Sequence, residues 1–228
     1  FWQAGASLVG TGGSDRDVAL PESVRAYMIA GGAHAPGMAW PACRSAPNPL
    51  VYTPIVRALS ARMIAWTIRD QSPPDSRWPS LAAGELQPIE TLKTPDLSAV
   101  GITWPKVINR PITPAGGHGR WPVLAPIVDA DGNDLPGIRM PQVAVPDATY
   151  LGWDLRKPGY GEGDLCLVFA AWSPFAPDAA ARQGDPRPSM AERYPGGDRP
   201  LQLRKAAEAL RDQGLLLDAD VEALAPAS

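Results

Sequence analysis

Two imidazoles are present in this chain of 228 residues, and their settings differ. His34 stands four residues past an apolar run, Tyr27-Met28-Ile29-Ala30, in the loop Gly31-Gly32-Ala33-His34-Ala35-Pro36-Gly37, with an amphipathic segment after it. A loop beyond a strand end presents an imidazole at the edge of a sheet, where it can take a proton from a nucleophile as general base. The competing role is structural: a histidine hydrogen-bonded to loop backbone that holds the Gly31–Gly37 turn closed. His118, in Gly116-Gly117-His118-Gly119-Arg120, has the setting of an exposed polar loop. Two histidines and two cysteines, Cys43 and Cys166, form no cluster of zinc-ligand spacing, and neither metal nor cofactor is expected.

A nucleophile for His34 is missing from the chain. No Gly-x-Ser-x-Gly occurs, since Gly5-Ala6-Ser7 and Gly13-Ser14 lack the pattern and follow no strand. A catalytic His34 therefore requires a serine upstream of Phe1. The chain opens Phe1-Trp2-Gln3-Ala4 without an initiator Met, which predicts a start in mid-sequence. A second chemical candidate is the acidic turn Asp129-Ala130-Asp131-Gly132-Asn133-Asp134. Its first residues match the opening ligand positions of a calcium loop, but the sixth position is Asp134 instead of Gly and the twelfth is Met140 instead of Glu. Asp-Gly and Asn supply positive φ, so the turn reads as a hairpin between strands.

The elements that must position these residues are short. With 27 prolines and 22 glycines there is little room for long helices or central strands. Phe1–Val9 reads as the tail of a helix, and Ser23–Ala30, bounded by Pro21 and Gly31-Gly32, as a short buried strand. Val51–Asp70 is the clearest helix: Tyr52, Ile55, Val56, Leu59, Met63 and Trp66 recur at three- and four-residue steps, and an apolar girth of that width predicts packing onto a sheet. Pro73-Pro74 stops it. Leu86–Ile89, Lys106–Ile108, Trp121–Val128, Leu135–Ile138 and Leu165–Ala171 are candidate strands. Near the end, Leu203, Ala206, Ala207 and Leu210 form a helical stripe with an Arg204–Glu208 pair and a Gly214 C-cap, and Asp218 starts a last short turn.

Charge and hydropathy exclude several partner classes. The 21 basic and 24 acidic residues form no basic stripe, which argues against nucleic acid and anionic membrane surfaces. No run approaches the ~18 apolar residues of a membrane-spanning helix. The two cysteines can pair with each other or with residues outside the chain; buried thiols are the ordinary expectation.

Longer blocks carry a resemblance. Phe1-Trp2, Ala6-Ser7-Leu8, Arg16-Asp17, Leu20-Pro21 and Val24-Arg25-x-Tyr27 lead to Ala30-Gly31-x-x-His34. Pro47-Asn48-Pro49-Leu50, Arg57-Ala58-Leu59, Pro73-Pro74 with Ser76-Arg77, and Val128 through Asp134 follow in order. Gly137-Ile138-Arg139, Val143 through Pro146, Ala148-Thr149-Tyr150 with Gly152-Trp153, and Gly184-Asp185-x-Arg187 through Glu192-Arg193-Tyr194 complete them. The chain resembles the C-terminal half of large bacterial α/β-hydrolase-domain proteins.

The resemblance implies an α/β fold: the C-terminal part of a hydrolase sheet sandwich with a β-rich extension. Residues 1–72 would be the end of the hydrolase core with last strand, histidine loop and C-terminal helix, 73–180 the extension, and 181–228 a helical segment. It implies a serine hydrolase, carboxylesterase-like, acting on small-molecule esters and completed by its own N-terminal half. Of the catalytic positions only His34 carries over, because the acid falls just before Phe1 and the serine further upstream. Asp17 is the nearest in-chain substitute, but it precedes the last strand and reads as a turn residue. Gly32-Ala33 stands where a Thr-Gln type pair is expected, which alters the pocket rim. The family's habit suggests secretion or the periplasm. Two other functions compete: a non-catalytic interaction or ligand-binding domain of hydrolase fold, and carbohydrate binding through exposed tryptophans among Trp40, Trp78, Trp104, Trp121 and Trp153.

Overall fold

In the computed structural model, Thr11 and residues 15–34, 36–105 and 122–226 are described. The expected Phe1–Val9 helix, the Lys106–Ile108 strand, His118 and Trp121 lie outside them. Five short strands make two antiparallel sheets. Strands β1 (Ala46–Pro47), β5 (Ala171–Pro174) and β4 (Ala148–Tyr150) lie side by side in that order, with Ala46 opposite Trp172 and Tyr150 opposite the same residue. Strands β2 (Leu86–Pro88) and β3 (Leu124–Pro126) form the second sheet. β1, β2, β3 and β5 each end on a proline. Proline has no N–H for the next rung, so each ladder stops there.

The expected strand over Ser23–Ala30 is extended and central, but it is not part of a continuous parallel sheet. Parallel bridges join Tyr27 to Arg77 on one side and Ile29 to Ile138 on the other. Met28 N–H donates to Arg77 O at 2.9 Å, and Ala30 N–H donates to Ile138 O at 3.0 Å. Each neighbour is broken by proline within two residues, Pro79 after Arg77 and Pro136 before Ile138, so neither pairing extends. Among the described residues both sheets are antiparallel. Leu135–Ile138 contributes a single bridge, at Ile138, and Leu165–Ala171 becomes a strand only at Ala171, while the two- and three-residue strands β1 and β4 stand where none was expected.

The helices follow their spacing more closely. α1 spans Thr53–Arg69 and carries Pro54 in its first turn, where no helical N–H partner is needed. Short α2 (Pro141–Ala144) precedes β4. α3 (Met190–Arg193) opens on a capping box, in which the Ser189 hydroxyl accepts from the Glu192 amide and the Glu192 carboxylate accepts from the Ser189 amide. α4 (Arg199–Asp212) ends where Gly214, at φ 76°, lets Leu215 N–H reach Leu210 O at 2.8 Å, a Schellman closure. α5 is Asp218–Leu224. Arg204 and Glu208 pair at 3.1 Å as their spacing predicts.

One core cluster gathers Ala30, Leu50, Ile55, Ile138, Met140, Val143, Tyr150, Leu215 and Leu216, drawn from segments far apart in the chain. A second holds Leu97, Ile102, Leu151, Trp153 and Leu155. The acidic turn is a tight reversal, with Val128 bridged to Asp134 and Gly132 at φ 84°. A β-carbon on Gly132 would meet Leu97 Cδ1 at 2.9 Å and Thr149 Cγ2 at 3.3 Å, so space and backbone both demand glycine there.

Two expectations are corrected. Cys43 and Cys166 form a disulfide across 123 residues, so they are not the buried thiols expected. α1 does not lay its apolar girth on a sheet: it buries Pro54, Ile55, Ala58 and Ala65 and leaves Val56, Met63, Ile64 and Ile68 exposed.

Candidate functional site

The site is built around the loop that leaves the extended segment at Ala30. Gly31 turns the chain at φ 64°, and a β-carbon there would sit 2.7 Å from Tyr150 O. Only glycine permits that approach. Gly31 N–H donates to Asp134 Oδ2 at 3.0 Å, and Gly31 O accepts from the Asn48 carboxamide at 2.8 Å. Asn48 is buried; the same carboxamide nitrogen donates to Leu151 O at 3.0 Å, and its oxygen accepts from Leu50 N–H at 2.8 Å. At the far end of the loop, Gly37 N–H donates to Asn48 O at 2.8 Å. Asn48 thus holds both ends of the 31–37 loop.

His34 lies at the outer part of this loop and is exposed. Its carbonyl is 3.5 Å from the Tyr52 hydroxyl. Among the described residues, no serine or carboxylate hydrogen-bonds its imidazole. Asp17, the nearest in-chain acid from the sequence, accepts from Leu81 N–H at 2.8 Å and Ala82 N–H at 2.9 Å, so it caps a turn.

The acidic residues of the hairpin are committed elsewhere. Asp129 pairs with Arg139 at 3.0 Å and accepts from the amides of Asp131 and Asn133. Asp131 pairs with Arg193, and Asn133 donates to Ala148 O at 3.2 Å. Among the described residues no group of three or more His, Cys, Asp or Glu side chains converges as a metal site would require. Burial pushes the Asp134 carboxyl up, against the Gly31 amide that favours its charge. Asp131 is likewise raised by burial, with Arg193 opposing.

Of the tryptophans expected at the surface, those among the described residues are mostly packed against neighbours. Trp153 is buried and packs on Trp104 with centroids 5.5 Å apart, and Trp78 is half-buried. Trp40 is exposed, but its ring is stacked on Phe169 at 5.7 Å. Sequence reasoning missed the framing residues Asn48 and Asp134. Asn48 stood between two prolines, a hint of a fixed turn, but its partners are 17 and 103 residues away.

No helix of the described residues is long and apolar enough to cross a membrane. A family model described as alpha/beta hydrolase domain matches residues 6–226. No curated protein and no solved structure matches the chain.

Proposed function

Because the chain belongs to the alpha/beta hydrolase domain family, and so has a hydrolase-type function, we propose that it is the C-terminal portion of a serine hydrolase of carboxylic esters. His34 is its general base; the serine and the orienting carboxylate come from the N-terminal half, upstream of Phe1. The observation that carries this reading is the placement of His34: an exposed imidazole on a short loop, fixed at both ends by Asn48, directly after an extended segment bridged on both sides. A base that must reach a nucleophile on another segment has to be presented in this way, open on one side and rigid at its root. In the reaction, His34 takes the serine proton as the hydroxyl attacks the ester carbonyl and returns it to the leaving alcohol. Water then repeats the sequence on the acyl-enzyme and releases the acid.

The outer face of α1 supports the two-part reading. Met63, Ile64 and Ile68 are 63%, 57% and 76% exposed, while Ser60 and Thr67 turn their hydroxyls onto carbonyls of their own helix. Such a face is apolar with its polar groups already satisfied, suited to cover by an apolar layer of the N-terminal half. Residues 73–180 would then be the β-rich extension beside that core, and 181–228 the helical end.

The test is His34→Ala in the protein carrying its upstream half, assayed with a short-chain p-nitrophenyl ester beside a thermal melt. Loss of a general base lowers turnover by ~10²–10⁴-fold with the fold intact. Near-normal turnover overturns the assignment and leaves the alternative of a non-catalytic binding domain; an upstream segment without Gly-x-Ser-x-Gly points the same way.

A further inference from the structure

Two tight turns are clasped together beyond the His34 loop. In one, Cys43 N–H donates to Trp40 O at 2.9 Å; in the other, Phe169 N–H donates to Cys166 O at 3.1 Å. The disulfide joins the cysteines, and the rings at the opposite ends of the turns, Trp40 and Phe169, stack with 27° between their planes. At this clasp Leu167 and Trp40 remain 52% and 37% exposed, and Met38, two residues before Trp40 in the chain, is 56% exposed. Leu167 is held at φ 55°, a conformation that costs a branched residue energy, and its exposed side chain gains little from packing in return.

Arg156 completes the surface. Its guanidinium carbon lies 5.8 Å from the centre of the Trp40 ring. Its Nη1 makes one long bond, 3.3 Å, to Tyr160 O, and its Nε is buried without a hydrogen-bond partner. Among the described residues no carboxylate pairs with it. A cation held against an aromatic shelf, with no carboxylate among the described residues paired to it, is complementary to an anion that carries its own apolar surface.

We propose that the Trp40–Phe169 clasp, with Met38, Leu167 and Arg156, is a binding subsite for an amphipathic carboxylate. The tail of a fatty or aromatic acid lies on the shelf, and its carboxylate meets the Arg156 guanidinium. The shelf begins four residues after His34, within at most about 20 Å of extended chain as far as Trp40. The acid released by ester hydrolysis belongs to this ligand class; that link rests on the proposed function, whereas binding itself does not.

Calorimetric titration of the full 228-residue chain with octanoate, and in parallel with octanol, tests the subsite. Octanoate is expected to bind about tenfold tighter than octanol, the contribution of one charge-assisted pair. Arg156→Gln brings octanoate to the octanol level and leaves octanol unchanged. Leu167→Gly suits the left-handed backbone and so keeps the fold, and it weakens both ligands several-fold. Equal binding of the two ligands by the unmodified chain, no binding of either, or unchanged octanoate affinity in Leu167→Gly overturns the proposal, whether or not Arg156→Gln folds. His34→Ala binds octanoate normally, so failure of the catalytic reading and failure of the subsite are separate results.

Discussion

Asn48 and Gly31 are joined by a 2.8 Å hydrogen bond from the buried carboxamide to the carbonyl at the root of the His34 loop. The bond matters because the same side chain also holds Leu151 O and Leu50 N–H, and the Asn48 backbone carbonyl accepts from Gly37 N–H. One residue therefore sets where the loop leaves the core and where it returns.

Asn48→Ala removes three side-chain bonds and leaves two carbonyls and an amide unsatisfied in the interior. A loss of about 2–5 kcal/mol is expected from such a site. The loop should loosen before the molecule unfolds, because Gly31 retains only its bond to Asp134 on one side. With two histidines in the chain, proton NMR of the imidazole region reads this directly. The expected result is a shifted and broadened His34 signal, together with faster amide exchange at Gly37 and Leu50. An unchanged His34 signal beside an unchanged melt rules out the clamp.

The disulfide gives the second prediction. Cys43 and Cys166 tie the segment after the His34 loop to the 166–169 turn, closing a loop of 123 residues. Constraint of the unfolded chain over such a length, less any native strain, stabilises by about 2–5 kcal/mol. For a chain of this size that corresponds to roughly 5–15 °C in Tm. A melt with and without a phosphine reductant should show that drop, and Cys43→Ser should reproduce it without reductant. If neither moves the melt, the bridge adds nothing to stability.

The parts of the fold that the sequence predicted well are those whose signal is local. α1 and α4 show apolar residues at three- and four-residue steps, and the 129–134 turn carries its Asp-Gly and Asn on consecutive positions. Strands β1 and β4 were not legible: two or three residues are too few to show alternation, and prolines next to Ala46 and before Ala148 read as breakers. The exposed face of α1 was misjudged because periodicity counts apolar residues without saying what covers them. At the site, His34 was visible from its loop, but Asn48, Asp134 and the Trp40–Phe169 clasp act through partners remote in sequence. Composition could not decide the cysteines, because pairing depends on two segments being folded against each other.

The last prediction concerns acid. Arg187 is fully buried and meets Asp185 through two nitrogens, Nε to Oδ1 at 2.9 Å and Nη2 to Oδ2 at 2.8 Å; its remaining donors reach Thr149, Ser173 and Pro174. Burial alone would raise the Asp185 carboxyl, but the bonds and charge of Arg187 outweigh it and hold the group below the usual carboxylate range. A folded-state value below the unfolded one stabilises above about pH 4, and the contribution is lost as pH falls through the depressed value. Asp134 has the opposite sign: burial raises it, so the folded state favours the proton and stability declines as pH rises from about 4 through the raised value. Asp134→Asn keeps an oxygen for the Gly31 amide and removes the buried charge, so its melt at pH 7 should equal or exceed that of the unmodified chain, with the gain vanishing near pH 4. Asp185→Asn leaves the Arg187 guanidinium buried without its counter-ion, a loss of about 3–5 kcal/mol at pH 7. That loss should shrink as pH falls below about 4 toward the depressed Asp185 value, where the contribution of the native ion pair is being lost. Melts of the three proteins between pH 3 and 8 check both signs: a pH-independent deficit in Asp185→Asn, or a melt for Asp134→Asn lower at pH 7 than at pH 4 relative to the parent, contradicts the assignment of charge in this core.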